Sequence, residues 1–185
     1  AFKGDSSDVT ADLALKFIRD CAGKKQPFLA VVWFGSPHAP HKALPDDSKL
    51  YADRPAAERE FLGEITAMDR AFGNVRAEIK KLRLTDDTIL WYCSDNGALP
   101  KVGSSGGRRG NKAQVYEGGL LVPALLEWPS RYPKPRVISV PCVTSDIYPT
   151  VLEWTGAKAE KQPPLDGTSL VTLLDGKANA RTKPI

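Results

Sequence analysis

Two histidines lie close together in a proline-rich segment of the chain. His38 and His41 are the only histidines in the sequence, and they follow an apolar run that ends at Phe34. Histidine exchanges protons near neutral pH, so a rare histidine placed at the end of a strand is a candidate acid or base. Taken alone, each of the two is also compatible with an ordinary surface or core position.

A carboxylate and an amide stand side by side after a second apolar run. Residues 88–93 are apolar or β-branched, and Ser94, Asp95, Asn96 and Gly97 follow them. Carboxylate and amide oxygens suit Ca²⁺ or Mg²⁺, but calcium takes roughly six to eight oxygens, so two side chains do not complete a site. The alternative is a simple Asp-Asn-Gly turn with a positive φ at Gly97.

A glycine-rich basic segment, residues 97–119, is the third candidate for chemistry. Its basic residues are Lys101, Arg108, Arg109 and Lys112. The segment is not a P-loop, because Asn111 precedes Lys112 and Ala113 follows it where the motif needs Gly and Ser or Thr. No aromatic residue lies between the basic residues to stack on bases, so nucleic-acid binding is not favoured. A ligand contact and a solvated flexible loop remain open.

Apolar periodicity predicts the helices that position these residues. Apolar residues spaced by four from Val9 to Cys21 predict a helix whose N-cap lies near residues 6–8. Apolar residues spaced by four and three predict a longer helix over residues 57–82. A short helix over residues 146–156 is expected to be capped by Asp146 and ended by Gly156.

Short β-rich runs predict the strands. These runs cover residues 28–34, 88–93, 120–128 and, less regularly, 137–143. Residues 28–34 form a continuous apolar run, which is typical of a parallel strand buried on both faces. Strands that alternate with helices favour an α/β fold with a mainly parallel sheet flanked by helices. Ligands of such sheets bind at the carboxyl ends of strands, where the histidine and Asp-Asn segments are predicted to lie.

Length and composition exclude several classes of protein. The chain has 185 residues, 42% of them hydrophobic, and a net charge of +4, which is too small to argue for nucleic acid by itself. No apolar run approaches the roughly 20 residues of a membrane span, and no secretory signal pattern is present. The three cysteines fit neither a disulfide framework nor a zinc site. The chain begins with Ala1, and we expect it to be part of a longer protein.

Taken in order, the motifs resemble those of the type I sulfatase family, within the alkaline phosphatase superfamily. The matching stretches are residues 27–41, 68–73, 88–97, 109–123, 146–152 and 166–170. Each motif is weak alone, but six in the order of the family are specific and cover almost the whole chain. The resemblance implies a partial alkaline-phosphatase-like sandwich.

The resemblance also implies a reaction and roles for individual residues. Members of the family hydrolyse sulfate esters with a formylglycine nucleophile and a divalent cation, usually Ca²⁺ and otherwise Mg²⁺. By matching positions, Asp95 and Asn96 would be two metal ligands, and Lys112 would bridge the sulfate and the leaving group. His38 would contact the sulfate ester and protonate the leaving oxygen, and His41 would lie near the substrate. A cation and a lysine placed there would stabilise the negative charge that develops on the leaving oxygen.

The chain departs from the family pattern at the nucleophile. No C/S-x-P-x-R motif, from which formylglycine is made, occurs in the 185 residues, and the acidic pair of the family's first strand has no counterpart. We therefore expect residues 1–185 to be the C-terminal part of a sulfatase catalytic domain whose partner is the missing N-terminal part. The isolated chain is expected to be inactive and to bind calcium weakly.

Alternative functions remain beside this prediction. A phosphonate or phosphodiester hydrolase of the same superfamily would use similar metal and histidine arrangements, and a non-catalytic module would keep the fold without the chemistry. The expected substrate is a sulfate ester, with carbohydrate as the favoured class, and neither nucleic acid nor a membrane is expected as a partner. A periplasmic, secreted or lysosomal location is suggested by the family only.

Overall fold

The computed structural model describes residues 2–185, so Ala1 lies outside the described residues. The chain divides into two compact units, one ending at Pro133 and the other spanning Lys134–Ile185. The elements of the first unit are α1 (Ser6–Gly23), α2 (Pro45–Lys49), α3 (Ala56–Lys81), β1 (Leu90–Cys93), α4 (Glu117–Leu120) and β2 (Ala124–Glu127). The second unit contains α5 (Ile147–Thr155) and α6 (Val171–Leu174). None of the helices found in residues 2–185 is both long and apolar enough to cross a membrane.

Helices α1 and α3 form the core of the first unit, and both were predicted by their apolar spacing. The buried cluster consists of Ala11, Leu15 and Ile18 from α1 and Ala71, Val75 and Ile79 from α3. These positions recur every three or four residues, so they lie on one face of each helix. The predicted start of α1 was slightly late, because the Asp5 carboxylate accepts a hydrogen bond from the Ser7 amide at 2.7 Å and caps the helix there.

The sheet of the described residues is small and antiparallel. Strand β1 pairs with β2, and the register places Leu90 opposite Glu127 and Cys93 opposite Ala124. Helix α3 packs against this pair, since the Phe72 ring lies 5.6 Å from the Tyr92 ring and Arg76 Nε donates to Glu127 at 2.6 Å. The α/β class is confirmed, while the mainly parallel sheet is not seen within residues 2–185 because β1 takes β2 as its partner.

The run Phe28–Phe34 is extended but differs from the predicted strand. Phe28 and Phe34 pack against the core cluster. The alternate residues Leu29, Val31 and Trp33 are 73%, 70% and 86% exposed. Within the described part of the chain this segment has no strand partner. The prediction of burial on both faces was therefore wrong for these residues, since only one face meets the core.

The second unit is organised around a buried carboxylate. Helix α5 ends at Gly156, which has a φ of 65°, as predicted. Asp146 stands at the N-cap position of α5, as predicted, but its side chain makes no capping hydrogen bond to the helix. The carboxylate instead accepts hydrogen bonds from the Val143 and Thr168 amides and pairs with Arg181. Residues 137–143 form no strand, which corrects that prediction as well.

Candidate functional site

The Asp-Asn pair lies where β1 ends. Asp95 Oδ1 accepts a hydrogen bond from the Asn96 amide at 2.9 Å, and the Asn96 side-chain nitrogen donates to Asp95 Oδ2. The backbone after Asn96 is bonded to the segment that precedes β2, since the Gly97 amide donates to the Gly119 carbonyl at 2.9 Å. Gly97 does not have a positive φ, contrary to the turn alternative. It is required because a Cβ would overlap the Gly118 carbonyl.

The histidine segment follows the extended run and folds into a tight loop. The His38 amide donates to the Gly35 carbonyl at 3.1 Å. The exposed ring of His38 places Nδ1 2.8 Å from the Ala39 carbonyl, so Nδ1 carries the proton and Nε2 remains for a ligand. His41 is half-buried instead, with Nε2 3.2 Å from the Pro37 carbonyl and its ring 5.2 Å from the Phe61 ring.

Two glutamates of α3 hold the chain that follows the histidines. Glu64 Oε1 accepts a hydrogen bond from the Lys42 amide at 2.6 Å, and Glu60 Oε2 accepts one from the Ala43 amide at 3.0 Å. Because these bonds tie backbone to a long helix, they limit the positions that the histidine loop can adopt. Glu64 is 6% exposed, and its Oε2 has no hydrogen-bond partner among residues 2–185. The sequence did not predict that Glu64 binds the Lys42 amide, because Glu64 resembles the other charged residues along the predicted helix.

The glycine-rich segment folds back so that Lys112 returns to the end of β1. The Lys112 amide donates to the Ala98 carbonyl at 2.9 Å. Gly118 and Gly119 are buried, and a Cβ on either would overlap a backbone carbonyl of the segment 109–114. The glycines therefore permit close backbone packing, and the exposed Glu117 begins the short helix α4 beside them.

One cleft collects the predicted residues. It measures about 1030 Å³ and is lined by His38, Asp95, Asn96 and Lys112 together. The volume is that of a typical small-molecule site or slightly above it. His41, predicted to lie near substrate, is absent from the cleft lining and packs against α3. Substrate contact by His41 therefore stays a prediction that this geometry does not strengthen.

The cleft also contains residues to which the sequence analysis gave no individual role. Arg108, Glu64 and Tyr92 all contribute to its lining. Burial raises the pKa of the Tyr92 phenol, and Cys93 and Asp69 add to the effect. Tyr92 consequently stays a neutral hydrogen-bond donor at physiological pH. Tyr92 falls within a predicted apolar strand and Arg108 within a basic loop, so neither stood out from its neighbours in the sequence.

The side-chain oxygens at the end of β1 are of the type that binds a hard divalent cation. Asp95 is exposed and offers carboxylate oxygens, and Asn96 offers an amide oxygen beside it. Within residues 2–185 no group of three or more His, Cys, Asp or Glu side chains is placed to hold a metal ion. The pair therefore fits Ca²⁺ or Mg²⁺ as part of a coordination sphere rather than the whole of one.

Comparison with known proteins identifies the family. The sulfatase family model matches residues 2–157. The mouse (Mus musculus) steryl-sulfatase is 32% identical over 177 residues, which are 91% of this chain and 27% of that protein. The sulfatase YdeN of Escherichia coli (strain K12) is 29% identical over 184 residues, 95% of this chain and 32% of that protein.

A solved structure supports the same relationship. The crystal structure of Ps i-CgsB in complex with k-i-k-neocarrahexaose superimposes with a TM-score of 0.85 at 30% identity, over 91% of this chain and 38% of that one. This similarity confirms the alkaline-phosphatase-like α/β fold expected from the motifs. The chain spans about a third of the length of the relatives it matches. It belongs to the sulfatase family.

Proposed function

We propose that the protein carrying this chain hydrolyses a sulfate ester, and that residues 1–185 supply the C-terminal part of its catalytic domain. The observation that carries the proposal is the single cleft lined by His38, Asp95, Asn96 and Lys112. These residues come from three separate segments, and no element of secondary structure requires all four types at one place. Cleavage of a sulfate ester is promoted by a cation, a lysine and a proton donor. The four residues offer the lysine, the proton donor and two ligands for the cation.

Each residue has a role that follows from its chemistry. Lys112 places its ammonium group beside the ester and stabilises the negative charge that grows on the sulfate and leaving oxygens. His38 in its imidazolium form carries a proton on both ring nitrogens. Because Nδ1–H donates to the Ala39 carbonyl, the Nε2 proton is the one that passes to the leaving oxygen. Asp95 and Asn96 would hold part of the coordination sphere of a divalent cation, which supplies further positive charge to the sulfate oxygens.

The nucleophile is proposed to come from outside residues 1–185. None of the 185 residues belongs to a C/S-x-P-x-R motif, and Cys21 of α1 is buried. A carbohydrate is the favoured substrate class, since Ps i-CgsB, which shares the fold and 30% of its residues, is seen with a neocarrahexaose. The steryl-sulfatase relative makes a sterol sulfate the competing class.

The proposal is tested with the full-length protein that carries this chain. We expect turnover of an aryl sulfate, a fall in kcat of about 10²–10³-fold for Lys112→Ala, and a comparable fall for His38→Ala. Chelation by EDTA should abolish turnover, and added Ca²⁺ or Mg²⁺ should restore it. Lys101→Gln is the matched control, because Lys101 lies on the same loop but outside the cleft lining.

Two results would contradict the proposal. Preference for a phosphonate or phosphodiester over the aryl sulfate would favour the other hydrolases of the superfamily. Equal loss of activity in Lys101→Gln and Lys112→Ala would show that loop charge in general, and not the cleft lysine, is responsible.

A further inference from the structure

Arg108 is a basic residue of the cleft that the proposed reaction does not use. It lines the cleft together with His38 and Lys112. The neighbouring Arg109 is already engaged, since its guanidinium lies 3.8 Å over the Tyr116 ring and donates to the Tyr116 hydroxyl at 2.7 Å. Lys101 lies outside the cleft lining. Of the four basic residues of the loop, Arg108 and Lys112 therefore line the cleft.

The backbone around Arg108 forms a tight turn from which the exposed side chain projects. The Arg108 amide donates to the Ser105 carbonyl at 3.3 Å, and the Ser105 hydroxyl donates to the Arg108 carbonyl at 2.8 Å. Gly106 and Gly107 have φ values of 63° and 79°, which glycine adopts at little cost. A Cβ on Gly106 would lie 3.2 Å from Arg108 Nη1, so the guanidinium folds over the turn where no side chain intervenes.

The guanidinium of Arg108 has room for an anionic ligand. Its side-chain hydrogen bond in the structure is a long one, from Nη1 to the Ser105 carbonyl at 3.4 Å. The carboxylates of the cleft lining are Asp95, which is proposed to hold a cation, and Glu64, which accepts the Lys42 amide. A guanidinium offers parallel N–H donors that match two oxygens of a sulfate or a carboxylate.

We propose that Arg108 forms a second anion subsite, which binds a further sulfate or carboxylate group of the substrate whose ester is cleaved beside His38 and Lys112. This inference rests on the proposed function, from which it takes the carbohydrate class, and it adds that the substrate carries two or more anionic groups. A sterol monosulfate, with one anionic group, would leave Arg108 without a partner in the cleft.

The test compares two substrates in the full-length protein: a disulfated disaccharide and its singly sulfated counterpart, which keeps the scissile ester. Because the substitution removes a charge-assisted hydrogen bond, Arg108→Gln should raise KM for the disulfated substrate by about tenfold or more. Its kcat, and the KM of the singly sulfated substrate, should not change. Arg108→Lys should recover part of the loss, and Lys101→Gln should behave as wild type.

The outcomes separate this inference from the function on which it rests. Equal effects of Arg108→Gln on both substrates, or no effect on either, would overturn the subsite while leaving sulfate-ester hydrolysis intact. If the wild-type protein cleaves neither substrate, the proposed function is wrong, and calorimetric titration of the disulfated disaccharide then decides the subsite alone. Weaker binding to Arg108→Gln than to Lys101→Gln would support it, and equal binding would overturn it.

Discussion

At the scale of single residues, Asp146 shows how one side chain can tie several distant segments together. It is completely buried and accepts hydrogen bonds from the Val143 and Thr168 amides, at 2.9 and 2.8 Å, while Arg181 binds both of its oxygens. The hydrogen bonds from Arg181 and the two amides outweigh the effect of burial and lower the pKa of Asp146. Four donors thus hold one charge, as a buried carboxylate requires.

We expect Arg181→Gln to destabilise the second unit strongly, because it leaves the Asp146 charge buried without its cation. Breaking a buried pair in this way costs about 3–5 kcal/mol. Hydrogen exchange of the α5 amides would measure the loss. Lys177→Gln is the control in the same unit: Lys177 pairs with Asp175 at 3.0 Å but is 72% exposed, so its loss should cost less than about 1 kcal/mol. Equal exchange in the two variants would contradict the expectation.

The lowered pKa of Asp146 also predicts a direction of pH dependence. A carboxyl whose pKa is lower in the folded state stabilises that state fully above its unfolded pKa, near 3.9. This contribution is lost as the pH falls through the lower, folded value. Acid unfolding of the second unit should therefore become less steep in Asp146→Asn than in wild type, as followed by α5 hydrogen exchange across the acid range. An unchanged acid profile would show that other groups control the transition.

At the scale of elements, α3 connects the core to the site. One of its faces packs against α1, Phe72 contacts β1, and Glu60 and Glu64 hold the chain after the histidine loop. Gly63 lets the segment after the histidine loop lie close to the helix, because a Cβ on Gly63 would lie 2.5 Å from Ala43 Cβ and 3.0 Å from the Ser48 amide nitrogen. Gly73, ten positions further along the same helix, has no atom within 4 Å of such a Cβ.

The two glycines of α3 provide a matched pair of substitutions. Gly→Ala in a helix interior removes the same backbone entropy from the unfolded chain at both sites. By itself this effect stabilises the folded protein by roughly 0.5–1 kcal/mol. We expect Gly73→Ala to gain this stability and Gly63→Ala to lose stability, since its methyl group must displace the backbone near Ala43. Thermal unfolding of the two variants beside wild type measures both effects. A gain in both would show that the chain after the histidines is not held closely against α3.

At the scale of the whole molecule, the extended run Phe28–Phe34 presents an exposed apolar face that no strand covers inside the described residues. Leu29, Val31 and Trp33 alternate along it and all are at least 70% exposed. The backbone of the run has no strand partner in residues 2–185 either. An apolar, unpaired extended segment is a template for association with another chain.

We expect the 185-residue chain, prepared alone, to self-associate through this segment. Val31→Lys should weaken the association, because a charge would have to be buried between the associating chains. Val115→Lys is the control, since Val115 is also exposed, at 85%, but lies on a different segment. Sedimentation velocity over a range of concentrations would measure the effect. A monomer at every concentration would show that the exposed face does not drive association.

The sequence by itself determined the local features of this protein. Apolar spacing predicted α1 and α3, because a stripe that repeats every 3.6 residues can be buried only as a helix. Gly156 predicted the end of α5, since glycine accepts the positive φ of a helix terminus. The order of six motifs predicted the sulfatase family, which is confirmed. The resemblance also implied site roles for His38, Asp95, Asn96 and Lys112, which line one cleft and whose roles stay predictions.

Only the tertiary structure decided which distant groups meet. The partner of β1, the exposure of Leu29, Val31 and Trp33, and the pairing of Asp146 with Arg181 all depend on contacts between segments far apart in the chain. Periodicity is a local property and carries no information on such contacts. The same reason explains why Arg108 and Arg109, adjacent and alike in the sequence, differ in the fold: one lines the cleft and the other stacks on Tyr116.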